Sequence, residues 1–280
     1  DRFDEKYELV RSFRKGNFKY IRNYENFYPD SLQNNYRYRM LSFREWREHY
    51  NQGKLNEVQS HFFKAKPVES LYDISKDPHE IHNLASDPMH RETLLQLRSA
   101  LQTQVKAIHD LSFYPENQMI EFALADGAGF GETHAVEISS LVDAVDLALL
   151  PFADATKGIS RGLKSKNTRM RYWTLTACTS FGKQAERFMN TAKGLLDDED
   201  DLVRLRAAEF LAIIGHTDPQ STIYDILATN PSGTVAAITL NTVVFLRDHH
   251  GYDFQLDSAK IKGTHEPLVQ QRLKYLNKQD

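Results

Sequence analysis

The chain of 280 residues has one cysteine, Cys178, and a formal net charge of only −3. A single cysteine cannot form an internal disulfide, so the sequence excludes a disulfide-stabilised scaffold. A dedicated nucleic-acid-binding domain is usually strongly basic, and the small net charge argues against one. No apolar run approaches the roughly 20 residues that a membrane-spanning helix needs. We therefore expect a protein with no nucleic-acid partner and no membrane span.

The length is enough for two ordinary domains, because single domains usually contain about 100–200 residues. A chain of this size can bury a sizeable core without metals or disulfides. The first residue is Asp1 rather than methionine, and no signal-like stretch follows it. We expect the chain to be a piece of a longer protein.

The composition changes along the chain. Residues 1–66 hold 14 Lys and Arg against nine Asp and Glu, and they hold 15 of the 31 aromatic residues. From about residue 134 onward, Ala, Leu, Val and Ile follow helical spacing instead. The glycine-rich stretch 127–131 lies between the two, and such stretches are conformationally loose. The sequence predicts two domains, 1–126 and 134–280, with this stretch as their linker.

The first domain is predicted to be α+β. Residues 7–13 and 18–24 alternate bulky and polar side chains on either side of a turn with Gly16, which is typical of a β-hairpin. Residues 70–74 predict a third strand. A helix from about His90 to Ile108 should pack on the resulting small antiparallel sheet through one apolar stripe. The members of that stripe are Leu94, Leu97, Leu101, Val105 and Ile108.

The second domain contains an internal repeat. Three similar segments, each preceded by a polar stretch, recur at residues 169–175, 202–208 and 234–240. Self-similarity at 20–50 residues indicates a helical solenoid, because one helix pair cannot bury its apolar face alone. Asp201 is expected to cap the second of these helices. Residues 201–208 resemble the inner helix of a HEAT-like repeat, so we expect an all-α HEAT-like repeat domain over 134–280.

No constellation in the sequence supports catalysis. Cys178 lies in an apolar predicted helix, where a buried cysteine acts as a small hydrophobic residue. The Gly-x-Ser-x-Gly, phosphate-loop and Cys-x-x-Cys patterns are absent. His79 and His82 lack the i, i+4 spacing of the His-Glu-x-x-His zinc site, and we expect a surface turn there. We predict no catalytic residue, no metal ligand and no cofactor site in this chain.

The basic aromatic segment 1–66 has two interpretations. Arginine and tyrosine together supply charge and stacking faces, which suits RNA. The aromatic residues alternate with polar ones as strands require, however, so the packing of a small sheet explains them better. The cations that remain candidates to face an anionic partner, such as a sulfated sugar, are Arg11, Arg14, Lys15, Lys19 and Arg22.

A specific motif lies at residues 69–85. It reads Glu-x-Leu-Tyr-Asp, followed after a few residues by Asp-Pro-x-Glu-x-x-Asn-Leu. The pattern predicts a strand, a proline-initiated turn and one helical turn, in which Glu80 satisfies first-turn amides and Leu84 packs on the core. The motif resembles the closing signature of the sulfatase family, and residues 10–24 resemble a late hairpin of that family. The resemblance covers about residues 1–120.

Sulfatases hydrolyse sulfate esters with a formylglycine, made from Cys or Ser in a Cys/Ser-x-Pro-Ser/Ala-Arg motif, and with a calcium ion. That motif is absent here, since Ser86-Asp87-Pro88 is followed by Met89 and His90. The resemblance therefore implies the C-terminal subdomain of a sulfatase, with a four-stranded sheet that packs beside the catalytic domain. The formylglycine and the calcium would belong to that missing domain.

The resemblance implies that the parent protein is an enzyme, a sulfuric ester hydrolase acting on a sulfated glycan or a small sulfate ester. This fragment is expected to be inactive alone, with its own N-terminal sulfatase domain and a protein on the repeat surface as partners. A periplasmic or extracellular location follows from the same resemblance. Arg2 and Asp4, nearest in sequence to the missing domain, are the expected substrate contacts. The alternative is a non-enzymatic helical-repeat interaction module.

Overall fold

The computed structural model describes residues 8–278, which form a mostly helical fold with one small three-stranded antiparallel sheet. The strands are β1 (Val10–Lys15), β2 (Phe18–Asn23) and β3 (Glu69–Asp73). The helices are α1 (Leu41–Asn51), α2 (Glu57–Ser60), α3 (Arg91–Ala107), α4 (Glu116–Gln118), α5 (Gly127–Thr133), α6 (Ala135–Val145), α7 (Phe152–Gly162), α8 (Thr168–Phe181), α9 (Met189–Gly194), α10 (Asp201–Ile213), α11 (Gln220–Thr229), α12 (Gly233–His250) and α13 (Pro267–Leu276). Helices and a small antiparallel sheet together agree with the predicted α+β class.

β1 and β2 form the predicted hairpin. They pair from Val10 opposite Asn23 to Lys15 opposite Phe18. Gly16 turns the chain with a φ of +59°, a left-handed value that favours glycine. β3 pairs antiparallel with β2, so β2 is the central strand. The family resemblance implied four strands, whereas the part of the chain that the structure describes supplies three.

α3 covers one face of this sheet and contacts β1 and β2. The expected fifth member of its apolar stripe, Ile108, is 62% exposed, so that part of the prediction is wrong. The helix ends at Ala107, and Ile108 therefore no longer follows the helical spacing. The buried members of the stripe are Leu94, Leu97, Leu101 and Val105.

The glycine-rich stretch is a helix, α5, rather than the predicted loose linker. The side chain of Asp126 caps the helix by accepting a hydrogen bond from the amide of Gly129 at 3.0 Å. Gly131 is buried, and a Cβ there would lie 3.1 Å from the Cβ of His109. Gly131 thus lets α5 pack closely against the loop after α3, and a larger residue would have to push His109 aside.

Helices α6, α8, α10 and α12 pack on one another in that order. α8, α10 and α12 contain the three repeated segments, and side chains at equivalent positions cap them: Asn167, Asp200 and Ser232. The expected cap Asp201 is wrong by one position, because Asp201 is already helical and Asp200 has the extended backbone of a capping residue. Asp200 accepts hydrogen bonds from two first-turn amides at 2.9 and 3.2 Å. The HEAT-like classification stays a prediction.

A buried ion network joins the sheet part of the molecule to the helical part. The Nη1 atom of Arg206, on α10, donates to the Tyr28 hydroxyl at 2.8 Å and to Glu209 at 2.5 Å. Its Nη2 atom pairs with Glu25 and donates to the Tyr172 hydroxyl at 2.7 Å. Both glutamates are fully buried. Two carboxylates therefore share one guanidinium as their counter-charge.

Replacing Arg206 by methionine should lower the free energy of unfolding by about 3–5 kcal/mol, because the two buried carboxylates lose their cation. Urea unfolding measures this change. Arg204→Met on the same helix is the matched control. Its partners Asp201 and Asp225 are partly exposed, so a loss of about 1 kcal/mol or less is expected. Equal losses in the two variants would contradict the role of the buried network.

Candidate functional site

The two faces of the sheet differ in what covers them. Tyr20 and Leu71 lie opposite each other on the face toward α3 and are buried. Because side chains alternate along a strand, their neighbours Ile21 and Tyr72 point to the other face, where they are only half-buried. This second face is the one available for function.

An open cavity of about 660 Å³ lies on this outer face. Its floor is made by β-strand side chains, including Val10, Ile21 and Tyr72. One wall is the segment 61–67, which leads into β3, and the other is the loop 80–83 within the Glu-x-Leu-Tyr-Asp motif region. The motif singled out in the sequence thus lines the cavity directly.

The hydrogen bonds of the Asn83 side chain explain why this motif has an asparagine. Its Oδ1 atom accepts hydrogen bonds from the amides of Leu71 at 2.9 Å and Ala85 at 3.0 Å. Its Nδ2 atom donates to the Glu69 carbonyl at 3.3 Å. The amide of Leu84 also donates to the Leu71 carbonyl at 2.8 Å. Asn83 therefore ties the cavity wall to the free edge of β3.

Glu80 does not have the predicted capping role, and residues 78–84 form no helical turn. Its backbone is left-handed, with a φ of +56°, and its side chain forms an ion pair with Lys19 at 2.6 Å. The loop is held by Asp77 instead, whose side chain accepts a hydrogen bond from the His82 amide at 2.7 Å. That hydrogen bond lowers the pKa of Asp77 below its usual value. The positive φ at Glu80 is incompatible with a right-handed helical turn.

The charges at the cavity are mixed. Lys66 is half-buried and lies 3.1 Å from Asp30 and 3.4 Å from Glu8. His61 and Lys64 are exposed and form no ion pair within residues 8–278. This arrangement can bind a polar or anionic group, and the lining contains no nucleophile held against a base.

The residues considered for chemistry lie apart from this cavity or have no activating partner. Cys178 is buried in α8, and burial raises the pKa of its thiol. His79 lies in a turn and His82 in a bend, and both are exposed. Within residues 8–278, no group of three or more His, Cys, Asp or Glu side chains could hold a metal ion. Arg2 and Asp4 lie outside the described residues.

Most of the hairpin cations expected to face an anionic partner bind carboxylates of this chain instead. Arg11 binds Asp110 through two nitrogens at 2.6 and 2.9 Å. Burial acts to raise the pKa of Asp110, but the hydrogen bonds and the charge of Arg11 outweigh it and lower that pKa. Arg22 is buried against Asp146 at 2.9 Å, because the helical part covers its end of β2. The exposed members are Arg14 and Lys15.

Sequence reasoning missed two features of this site. The first is Asn83, which belongs to the motif but whose hydrogen bonds to Leu71 and Glu69 on β3 the local pattern does not indicate. The second is Lys66. No local pattern marks it, because its acidic partners Glu8 and Asp30 lie far from it in sequence and only the fold brings them together. Tertiary placement, rather than local pattern, determines which cations remain free.

Replacing Asn83 by alanine should lower the free energy of unfolding by about 1 kcal/mol or slightly more, since the Leu71 and Ala85 amides lose their acceptor. Chemical denaturation measures the change. Ser86→Ala, in the adjacent turn, is the control and should change stability by less than about 0.5 kcal/mol. Indistinguishable stabilities for the two variants would mean that the asparagine does not hold the wall.

An ulvan-active sulfatase from Formosa agariphila is 39% identical over 121 residues, which make up 43% of this chain and 20% of that protein. The chain therefore matches only about a fifth of the length of this relative. No protein-family model and no solved structure match the chain. Among the described residues, no helix is long and apolar enough to cross a membrane.

Proposed function

We propose that this chain is the C-terminal portion of a sulfatase that hydrolyses sulfate esters on a sulfated polysaccharide such as ulvan. The observation that carries the proposal is the likeness to an ulvan-active sulfatase. The placement of the motif supports it, because Glu80, Ile81 and Asn83 line the open cavity on the outer face of the sheet. A periplasmic or extracellular location belongs to the same proposal.

The formylglycine and the calcium ion of the proposed enzyme do not fit the residues of this chain. No Cys/Ser-x-Pro-Ser/Ala-Arg sequence is present, and the described residues offer no cluster of three metal ligands. We therefore assign no catalytic step to this chain and infer that both groups belong to an upstream domain. The isolated chain should release no sulfate.

The outer face of the sheet is the proposed contact with that N-terminal domain. Ile21 and Tyr72 are half-buried apolar groups at the floor of an open cavity, and such a surface gains from being covered. The half-buried pair of Lys66 with Asp30 would fix the position of a covering segment through polar contacts. This chain would then form one edge of the substrate site without performing the chemistry.

The helical part is proposed to be a HEAT-like repeat that braces the enzyme or binds a protein. The stacking of α8, α10 and α12 with equivalent caps supports a repeat. The same stacking is the observation that favours the second candidate function, a non-enzymatic interaction module. The Glu-x-Leu-Tyr-Asp motif counts against that candidate, because a pure scaffold has no need of the cavity wall that it builds.

Extending the reading frame upstream should reveal a Cys/Ser-x-Pro-Ser/Ala-Arg motif. The full protein should release sulfate from ulvan, measured by ion chromatography, whereas residues 1–280 alone should match a heat-killed blank. The full protein with alanine at the motif Cys or Ser is the matched control and should be inactive. Sulfate release by residues 1–280, or an upstream frame without the motif, would overturn the proposal.

Arg2 and Asp4 are proposed as substrate contacts because they are charged and nearest in sequence to the proposed catalytic domain. In the full protein, Arg2→Ala or Asp4→Ala should raise KM for the polysaccharide several-fold, since each removes a charged contact. Steady-state kinetics measures this, with Arg14→Ala on the exposed hairpin as a control for lost surface charge. Kinetics identical to the wild type in both variants would remove the two residues from the site.

A further inference from the structure

Four arginines lie within one short stretch between β2 and β3. Arg37, Arg39, Arg44 and Arg47, called here the arginine cluster, form no ion pair with any carboxylate of residues 8–278. Eight of the other 13 arginines in residues 8–278 differ from the cluster in this respect. The arginines that do have carboxylate partners are Arg11, Arg22, Arg98, Arg169, Arg171, Arg204, Arg206 and Arg247.

Neutral groups hold three side chains of the cluster in place, and the fourth, Arg39, is exposed. The guanidinium of Arg37 donates to the Asp30 carbonyl and lies 5.0 Å from the centre of the Phe62 ring. Arg47 lies 3.7 Å from the centre of the Tyr38 ring. The Nε atom of Arg44 donates to the Tyr38 carbonyl at 2.6 Å. Each guanidinium has five N–H donors, so these contacts fix the groups and leave donors for a ligand.

The charge around the cluster remains positive. The first turn of α1 holds no acidic side chain, and the nearby acids on that helix are Glu45 and Glu48. From α12, Asp248 faces the same region, but Arg247 at 2.8 Å and the Tyr275 hydroxyl at 2.7 Å already bind it. Four cations against two exposed glutamates leave a surplus that an anionic ligand would neutralise.

Exposed apolar side chains flank these cations. Tyr36 and Leu41 are each 77% exposed, and Met40 is 41% exposed. Apolar groups beside fixed cations match a ligand that has both anionic groups and less polar faces, as a sulfated sugar ring does. Phe62 and Asp30 contact Arg37 and also line the sheet cavity, so the cluster adjoins the cavity rim.

We propose that the arginine cluster binds the sulfate groups of a polyanionic polysaccharide and holds the polymer beside the sheet cavity. This inference rests on the proposed function for the identity of the polymer. A guanidinium offers two parallel N–H donors to an oxyanion, which suits sulfate better than a single ammonium does. The cluster binds the polysaccharide and does not cleave it, since no reacting group lies there.

The test uses residues 1–280 and dextran sulfate, with unsulfated dextran as the uncharged probe. Titration calorimetry should show binding of dextran sulfate alone. Arg37→Gln/Arg39→Gln/Arg44→Gln should weaken it about tenfold or more and lower the slope of log Kd against log salt by about three. The control variant, Arg91→Gln/Arg161→Gln/Arg187→Gln, removes equal charge from exposed arginines elsewhere and should change Kd less than about twofold.

The single variant Arg39→Gln is the control for misfolding, because Arg39 is exposed. It should weaken binding about twofold to fivefold and leave thermal unfolding unchanged. Equal losses in the two triple variants, or equal affinity for single-stranded DNA of similar charge, would overturn the inference. If residues 1–280 do not bind dextran sulfate but the full protein releases sulfate, the inference about the arginine cluster is wrong and the proposed function stands. If the cluster binds dextran sulfate but the full protein has no sulfatase activity, the proposed function is wrong instead.

Discussion

The buried charge of Arg206 is the constraint on which the rest of the molecule depends. Glu25 and Glu209 are fully buried, and leaving either carboxylate without a cation would cost several kcal/mol. Burial raises the pKa of Tyr28, so this hydroxyl stays neutral and donates to Glu209. Since Glu25 follows the hairpin and Arg206 lies on α10, the network forms only when the sheet part and the helical part are docked.

Apolar contacts also join the sheet part to the helical part. The Tyr28 ring lies 4.8 Å from that of Phe245 on α12, and the Trp173 indole donates to the Phe113 carbonyl at 2.7 Å. One continuous cluster of buried apolar side chains includes residues from both parts. The sheet, and with it the cavity on its outer face, is therefore held by the helical part as well as by α3. The proposed repeat would then act on the site by fixing its position.

Local pattern was enough to predict the elements that depend on local physics. The hairpin around Gly16, the strand predicted at 70–74 and found at 69–73, and the first four members of the apolar stripe of α3 follow from alternation, turn chemistry and helical spacing. Some failures are local, namely the end of the stripe at Ile108, the cap at Asp201 and the turn at Glu80, and the others concern distant partners. Arg22 reads as an exposed strand residue until Asp146 is placed beside it, and the glycine-rich stretch reads as a linker until α5 packs against His109. Which arginines are left without a carboxylate is likewise a property of the whole fold.

The coupling of the two parts can be measured with the two tryptophans, because Trp46 reports on the sheet part and Trp173 on the helical part. In Trp173→Phe and Trp46→Phe variants, urea unfolding is followed by tryptophan fluorescence and by far-UV circular dichroism. The shared core and the Arg206 network predict that the two signals have one midpoint within each variant. A Trp46 signal that is lost at clearly lower urea than the helical signal would contradict the account, since the sheet part would then unfold without the helices.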